Sequence, residues 1–200
     1  MTSFNTVYNF ENQISNFFNS PFCVSTDSCT HAIELCLRLH KFPQSVCPRQ
    51  TYISIPFTFK KLGLHWQFEN NLWQNYYYIT DDIIDAAVYW QENGYVPCTY
   101  MCLSFQFKKH LSLGRGGAIL LDSEEDYYKL LKMRYDGRLP NIPWAKQNFD
   151  TVGYHYYMTP ETAKIGIEKM PAAIATNPKK WSYLDYPDLS KMEIFDVQWQ

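Results

Sequence analysis

The sequence predicts an α/β fold. Short β-rich runs alternate with segments of helical periodicity along most of the 200 residues. No repeat or low-complexity stretch breaks that alternation, and 46% of the residues are apolar, enough for one sizeable core. Composition also excludes some functions. Net charge is −2 overall; the first hundred residues carry 5 basic and 8 acidic side chains and the second hundred 13 and 12, so neither half is a nucleic-acid footprint. No apolar run approaches the roughly 18 residues of a membrane span. Cysteines stand at 23, 29, 36, 47, 98 and 102, with no C-x-x-C pair and no histidine cluster at zinc spacing, so no metal site is expected. The N-terminus is polar (Thr2, Ser3, Asn5, Asn9) and has no secretory character. A cytoplasmic protein with reduced cysteines is the expectation.

The elements follow in order. Val7, Phe10, Ile14, Phe17 and Phe18 fall on one helical face over residues 7–19. Phe22 to Ser25 is a strand. Asp27 or Ser28 then caps a helix to about His40, with Ala32, Ile33, Cys36, Leu37 and Leu39 as its apolar face. Pro56 suits the first turn of a short helix ending near Gly63. Strands are expected at Leu64–Phe68, Tyr76–Ile79, Tyr100–Phe105 and, after a glycine-rich turn, Ala118–Leu121. Helices are expected over Glu124–Tyr135 and from the Thr159 cap, with Pro160 first, to about Met170. Residues 1–170 form the expected core. Pro171, Pro178 and Pro187 mark 171–200 as an irregular tail packed on it.

The segment of sharpest chemical interest runs from Ser104 to Ala118, Ser-Phe-Gln-Phe-Lys-Lys-His-Leu-Ser-Leu-Gly-Arg-Gly-Gly-Ala. A strand delivers Ser104, a loop offers Lys108 and Lys109, and glycines permit a tight reversal. A lysine pair is ordinarily solvated surface; held by a rigid sheet, one lysine can form a Schiff base. The aromatic clusters Tyr76-Tyr77-Tyr78 and Tyr154-His155-Tyr156-Tyr157 suit a core, an interface or a stacking wall.

This segment resembles the DegT/DnrJ/StrS family of sugar aminotransferases, which use pyridoxal 5′-phosphate (PLP). The resemblance implies that Lys109 is the Schiff-base lysine and that Ser104 meets the cofactor phosphate. Thr26-Asp27-Ser28-Cys29-Thr30-His31-Ala32 is similar to a family segment whose helix N-terminus holds that phosphate, which implicates Cys29 and Thr30; Cys29 replaces the usual glycine. Pro48-Arg49-Gln50-Thr51-Tyr52 matches an element whose aromatic, here Tyr52, stacks on the pyridine ring. Ile84-Asp85-Ala86-Ala87 matches one whose aspartate, here Asp85, pairs with the pyridine nitrogen, while Val88 stands where the family has glutamine. Gly153-Tyr154-His155-Tyr156-Tyr157-Met158 resembles a stretch that reaches the neighbouring subunit's cofactor, which makes His155 a phosphate ligand and implies a homodimer with shared sites. Tyr157 replaces an arginine there.

The resemblance covers about residues 7–170. It implies a reduced, aspartate-aminotransferase-like (PLP fold type I) large domain, with a mainly parallel central sheet flanked by helices and the C-terminal small domain largely missing. The function it implies is amino transfer from an amino acid, glutamate by expectation, to a nucleotide-linked keto sugar. The rival is a PLP-binding or regulatory protein without transaminase turnover. A third reading, a single-strand nucleic-acid binder using the aromatics and Lys108-Lys109, is opposed by the charge balance.

Overall fold

A computed structural model describes residues 3–40 and 44–196. The last four residues of the expected tail and the first two of the expected core lie outside the described residues. The first helix, α1 (Asn5–Phe18), ends where Asn19 turns left-handed at φ 58°, a conformation asparagine tolerates. Strand β1 (Phe22–Thr26) leads into α2 (Cys29–Leu39), capped by Ser28, whose Oγ accepts from His31 N at 3.2 Å. Then come β2 (Ser45–Pro48), α3 (Ser54–Leu62), β3 (Trp66–Glu69), β4 (Tyr77–Tyr78), β5 (Ile83–Asp85), β6 (Tyr100–Ser104) and β7 (Gly117–Leu121). Helix α4 (Glu124–Met133) is capped by Ser123, and α5 (Pro160–Ile174) by Thr159. Three short 3-10 turns and a last helix, α6 (Glu193–Asp196), complete the described residues.

Sheet order is β1-β7-β6-β5-β4, with β2 and β3 forming a separate parallel pair. The five-stranded sheet is mixed, which corrects the expected mainly parallel arrangement: only β5 and β6 run parallel, and the other three ladders are antiparallel. Connection length accounts for part of this. Parallel neighbours need a crossover of about a dozen residues or more; residues 79–82 are too few and turn β4 back beside β5, whereas residues 86–99 carry the chain over from β5 to a parallel β6.

Each central strand is buried on both faces, with period-two alternation. Cys23, Met101, Leu103, Ala118 and Leu120 join Phe10, Ile14 and Phe18 of α1 and Ala163 and Met170 of α5. Val24, Cys102, Ile119 and Leu121 join the apolar sides of α2, α3 and α4. The result is helix, sheet, helix. Burying a side chain such as Phe10 or Phe18 contributes about 1.5–3 kcal/mol. One polar group crosses these layers: Arg134, after α4, pairs with Glu11 of α1, and Glu11 Oε1 also accepts from Ser25 N at 2.7 Å. All three residues are buried.

Some elements escaped the sequence pattern. Strands β2 and β5 are too short and too apolar to show alternation. Helix α5 continues past Met170 and through Pro171 to Ile174, because Ala173 packs into the α1–α5 side of the core.

Candidate functional site

The carboxyl ends of β1, β5 and β6 and the start of β7 meet at one edge of the sheet. The registers fix this: Thr26 and Ser104 both lie opposite Gly117, and Asp85 lies beside Cys102. Ligands of open α/β sheets bind outside such strand ends. A cavity of about 590 Å³ opens there.

Its first wall is the N-terminus of α2. Helix geometry leaves the Cys29 and Thr30 N–H groups without an intrahelical acceptor, at the positive end of the helix dipole, and both residues line the cavity. Thr30 Oγ1 lies 2.8 Å from Ser54 Oγ of α3. The close approach of β7 to this turn requires Gly117, since a Cβ there would lie 2.4 Å from Cys29 N. Gly114, at φ +84°, makes the preceding reversal. Arg115 from the same loop lines the cavity and places Nη2 2.6 Å from Asp27 Oδ2.

The floor is Asp85, only 6% exposed. Its Oδ1 accepts from Ala87 N at 2.9 Å and its Oδ2 from the Tyr77 hydroxyl at 2.5 Å. Burial pushes the carboxyl up; the Tyr77 hydroxyl, the Ala87 N–H and the Lys109 ammonium act against that rise. Lys109 is half-buried in the β6–β7 loop, where its backbone N–H donates to Gln106 O at 2.8 Å. Burial lowers its ammonium from the usual lysine range, with the Asp85 carboxylate opposing. Lys108 beside it is exposed.

The tail supplies the remaining wall. Trp181 O accepts from Asn75 N at 3.0 Å, Tyr183 N donates to Trp73 O at 3.1 Å, and Leu189 N donates to Arg49 O at 2.7 Å. These bonds lay residues 181–189 across the mouth and bring Trp181, Asp185 and Tyr186 to the cavity.

Of the residues expected from the sequence, Cys29, Thr30, Tyr52, Asp85, Ser104 and Lys109 come together around this one cavity. Tyr52 stands at the rim, 55% exposed. Val88 also lines it, so the position expected of a glutamine carries no hydrogen-bonding group. His155 is not brought to the cavity. Its ring is exposed, with Nδ1 3.1 Å from Asp136 Oδ2. Sequence reasoning missed Thr51, Trp73, Tyr77 and Trp181. Tyr77 stood in a noted tyrosine cluster and Thr51 in a quoted element; Trp181 gave no signal, because the tail has no periodicity.

These residues fit pyridoxal 5′-phosphate. Helix N–H groups and Arg115 suit a phosphate. A buried carboxylate suits a pyridinium nitrogen, aromatic side chains suit a planar ring, and a lysine of lowered basicity suits an aldehyde.

A lysine, a buried carboxylate and a helix N-terminus gathered at the strand ends of an α/β sheet describe a cofactor-binding core. The chain belongs to the DegT/DnrJ/EryC1/StrS aminotransferase family, whose model matches residues 1–62 and 91–186. Among solved structures it is similar to AtS13 from Actinomadura melliaura, with TM-score 0.76 and 17% identity over 86% of this chain and 61% of that one. It also resembles Spr1654 from Streptococcus pneumoniae in its PLP form, with TM-score 0.69 and 15% identity over 85% and 60%. The sugar aminotransferase CalS13 from Micromonospora echinospora gives TM-score 0.69 and 12% identity over 85% and 61%. The chain therefore spans about 60% of the length of these proteins. No curated protein matches it. No helix among the described residues is long and apolar enough to cross a membrane.

Proposed function

We propose that this chain is a PLP-dependent aminotransferase moving an amino group from an amino acid, glutamate by preference, to a nucleotide-linked keto sugar. The observation that carries this reading is the convergence of Lys109, Asp85 and the α2 N-terminus on one cavity, together with family membership.

Pyridoxal 5′-phosphate supplies, when bound, an electron-poor ring that stabilises negative charge at the substrate α-carbon. The Cys29 and Thr30 N–H groups, with Ser104, would hold its phosphate, Tyr52 would cover a ring face, and Asp85 would keep the ring nitrogen protonated. Lys109 would supply the amine for the cofactor aldehyde and, when free, would take up and return a proton at Nζ. Its lowered basicity leaves more of the free amine near neutral pH. The 181–189 strap covers part of the cavity mouth with Trp181 and Tyr186, and such cover strengthens polar contacts beneath it.

The same reading makes the protein a homodimer, with exposed His155 reaching the second copy's phosphate. Exposed Trp144, Phe149 and Val152 beside that segment suit an interface. All six cysteines are free, in keeping with a reducing, cytoplasmic setting.

The test is the absorbance spectrum of the full chain with PLP, beside Lys109→Ala. Wild type should show a lysine-bound band that borohydride fixes onto a Lys109 peptide, and glutamate should discharge it. If wild type and Lys109→Ala show only free-cofactor absorbance, the aminotransferase reading fails. If the band forms but no amino donor discharges it, a PLP-binding protein without turnover is the better description.

A further inference from the structure

We propose that Tyr77 is a positioning residue for the cofactor-facing carboxylate: held by Thr51, its hydroxyl fixes Asp85 with its free lone pairs turned into the cavity. This rests on the cofactor reading above and assigns a role that reading does not contain. The family match stops at residue 62 and resumes at 91, so β4 and β5, which carry Tyr77 and Asp85, lie outside the matched residues. Asp85 is expected from the Ile84–Ala87 element; geometry alone places Tyr77.

Strands β4 and β5 are antiparallel, and the register sets Tyr77 directly opposite Asp85. Directly opposed side chains share a sheet face and meet. The Tyr77 hydroxyl donates to Asp85 Oδ2 at 2.5 Å and lies 2.5 Å from Thr51 Oγ1. A phenol has one proton. Because that proton goes to Asp85, the Thr51 hydroxyl must donate to the Tyr77 oxygen. The chain Thr51 to Tyr77 to Asp85 is therefore polarised toward the carboxylate, and each bond strengthens the next. Thr51 and Tyr77 are only 2% and 5% exposed, so water does not compete.

Ala87 N holds the other carboxylate oxygen. With one bond on each oxygen the group cannot rotate, yet each oxygen keeps acceptor capacity facing the cavity that Asp85 lines. The charge also needs this support. A carboxylate buried without partners would take up a proton, and a neutral acid cannot hold a proton on a ring nitrogen. Of the groups facing Asp85, Lys109 is the cation. The thiols of Cys29, Cys47 and Cys102 and the Tyr186 phenol of the strap are all pushed upward by burial, so they stay neutral. The Tyr77 hydroxyl is thus the main group that offsets the cost of burying the charge.

The experiment uses the full chain loaded with PLP labelled with ¹⁵N in the ring, with the pyridine nitrogen followed by NMR across pH. Tyr77→Phe keeps the ring and removes one hydroxyl. It should move the sharing of the proton between the ring nitrogen and Asp85 toward the carboxyl by about 10- to 100-fold, the size expected for a hydrogen bond to a charged group, read as a smaller protonated fraction at the nitrogen. Thr51→Val should shift it the same way and by less, so the result does not hang on one variant. In the cofactor-free chain, Tyr77→Phe should raise the Asp85 carboxyl titration by about the same amount, read by ¹³C labelling. Asp85→Asn serves as the reference and should abolish ring protonation at neutral pH. If Asp85→Asn acts as expected while Tyr77→Phe and Thr51→Val titrate with wild type, the Tyr77 role is overturned and the cofactor reading stands. If Asp85→Asn leaves the nitrogen unchanged, the cofactor reading falls and takes this role with it.

Discussion

The indole of Trp181 faces the ammonium of Lys109, with the nitrogen 5.2 Å from the ring centroid. The two residues are 72 positions apart in sequence, and backbone pairing of the tail, including the bond from Asn75 N to Trp181 O, brings them together. Lys179 Nζ lies 3.8 Å from the same ring. A cation over an indole face is stabilised by about 0.5–2 kcal/mol. Trp181→Leu keeps apolar cover but removes the ring face. Lys109 should then lose its proton more easily, and the pH dependence of cofactor attachment should move down by up to about one unit. An absorbance titration of wild type against Trp181→Leu checks this; an unchanged profile would mean that Trp181 only covers the site.

Gly117→Ala should damage the phosphate wall. The added Cβ would meet Cys29 N and Ser28 C, both at 2.4 Å. These are backbone atoms that cannot rotate away, so β7 or the first turn of α2 must shift. Overpacking of this kind costs about 1–3 kcal/mol. Urea denaturation should show that loss, and binding of inorganic phosphate should weaken alongside it.

Breaking the Glu11–Arg134 pair from one side should be severe. Both side chains are buried, at 3% and 1% exposure, and Arg134 Nη1 also donates to Ser25 O at 2.8 Å. Glu11→Leu leaves a buried guanidinium without its anion, a change that costs on the order of 3–5 kcal/mol. The double variant Glu11→Leu/Arg134→Leu should recover part of that loss. Denaturation midpoints of Glu11→Leu, Arg134→Leu and the double variant, with wild type, form the cycle; additive losses would show that the two side chains are uncoupled.

Acid stability should depend on Glu34. Its carboxylate is buried, which acts to raise its pKa, but Lys61 Nζ at 2.7 Å and Arg38 Nε at 2.9 Å win and hold it below the ordinary 4.5. Below pH 4.5 the unfolded chain therefore binds a proton that the folded chain resists. The contribution is fully present above that pH and is lost as pH falls through the folded value. Glu34→Gln should flatten the acid limb of the stability curve. Denaturation at neutral pH and near pH 3 would show it, and parallel acid limbs would count against this account.

The local rules carried much of the fold. A cap at Asp27 or Ser28 and one at Thr159 were legible because a short polar side chain before a helical apolar pattern has few other uses; the structure gives the first role to Ser28, and Ser28 and Thr159 each accept a first-turn N–H. The helical faces of α1 and α2 followed from spacing. The direction of the sheet did not follow, because alternation along a strand is the same for parallel and antiparallel neighbours. Strand β5 was hidden for a related reason: three residues buried on both faces show no period.

For the site, the sequence by itself determined which residues are chemically equipped: a lysine on a glycine-flanked loop, an aspartate before two alanines, and an open helix turn at Cys29 and Thr30. Each signal is local, and each is ambiguous alone. Tertiary structure decided that six of the seven expected residues share one cavity while His155 lies outside its lining. It also brought in Tyr77 through strand register and Trp181 through backbone pairing of the tail. Cross-strand register and tail docking are set by packing between segments distant in sequence, so no run of neighbouring residues encodes them.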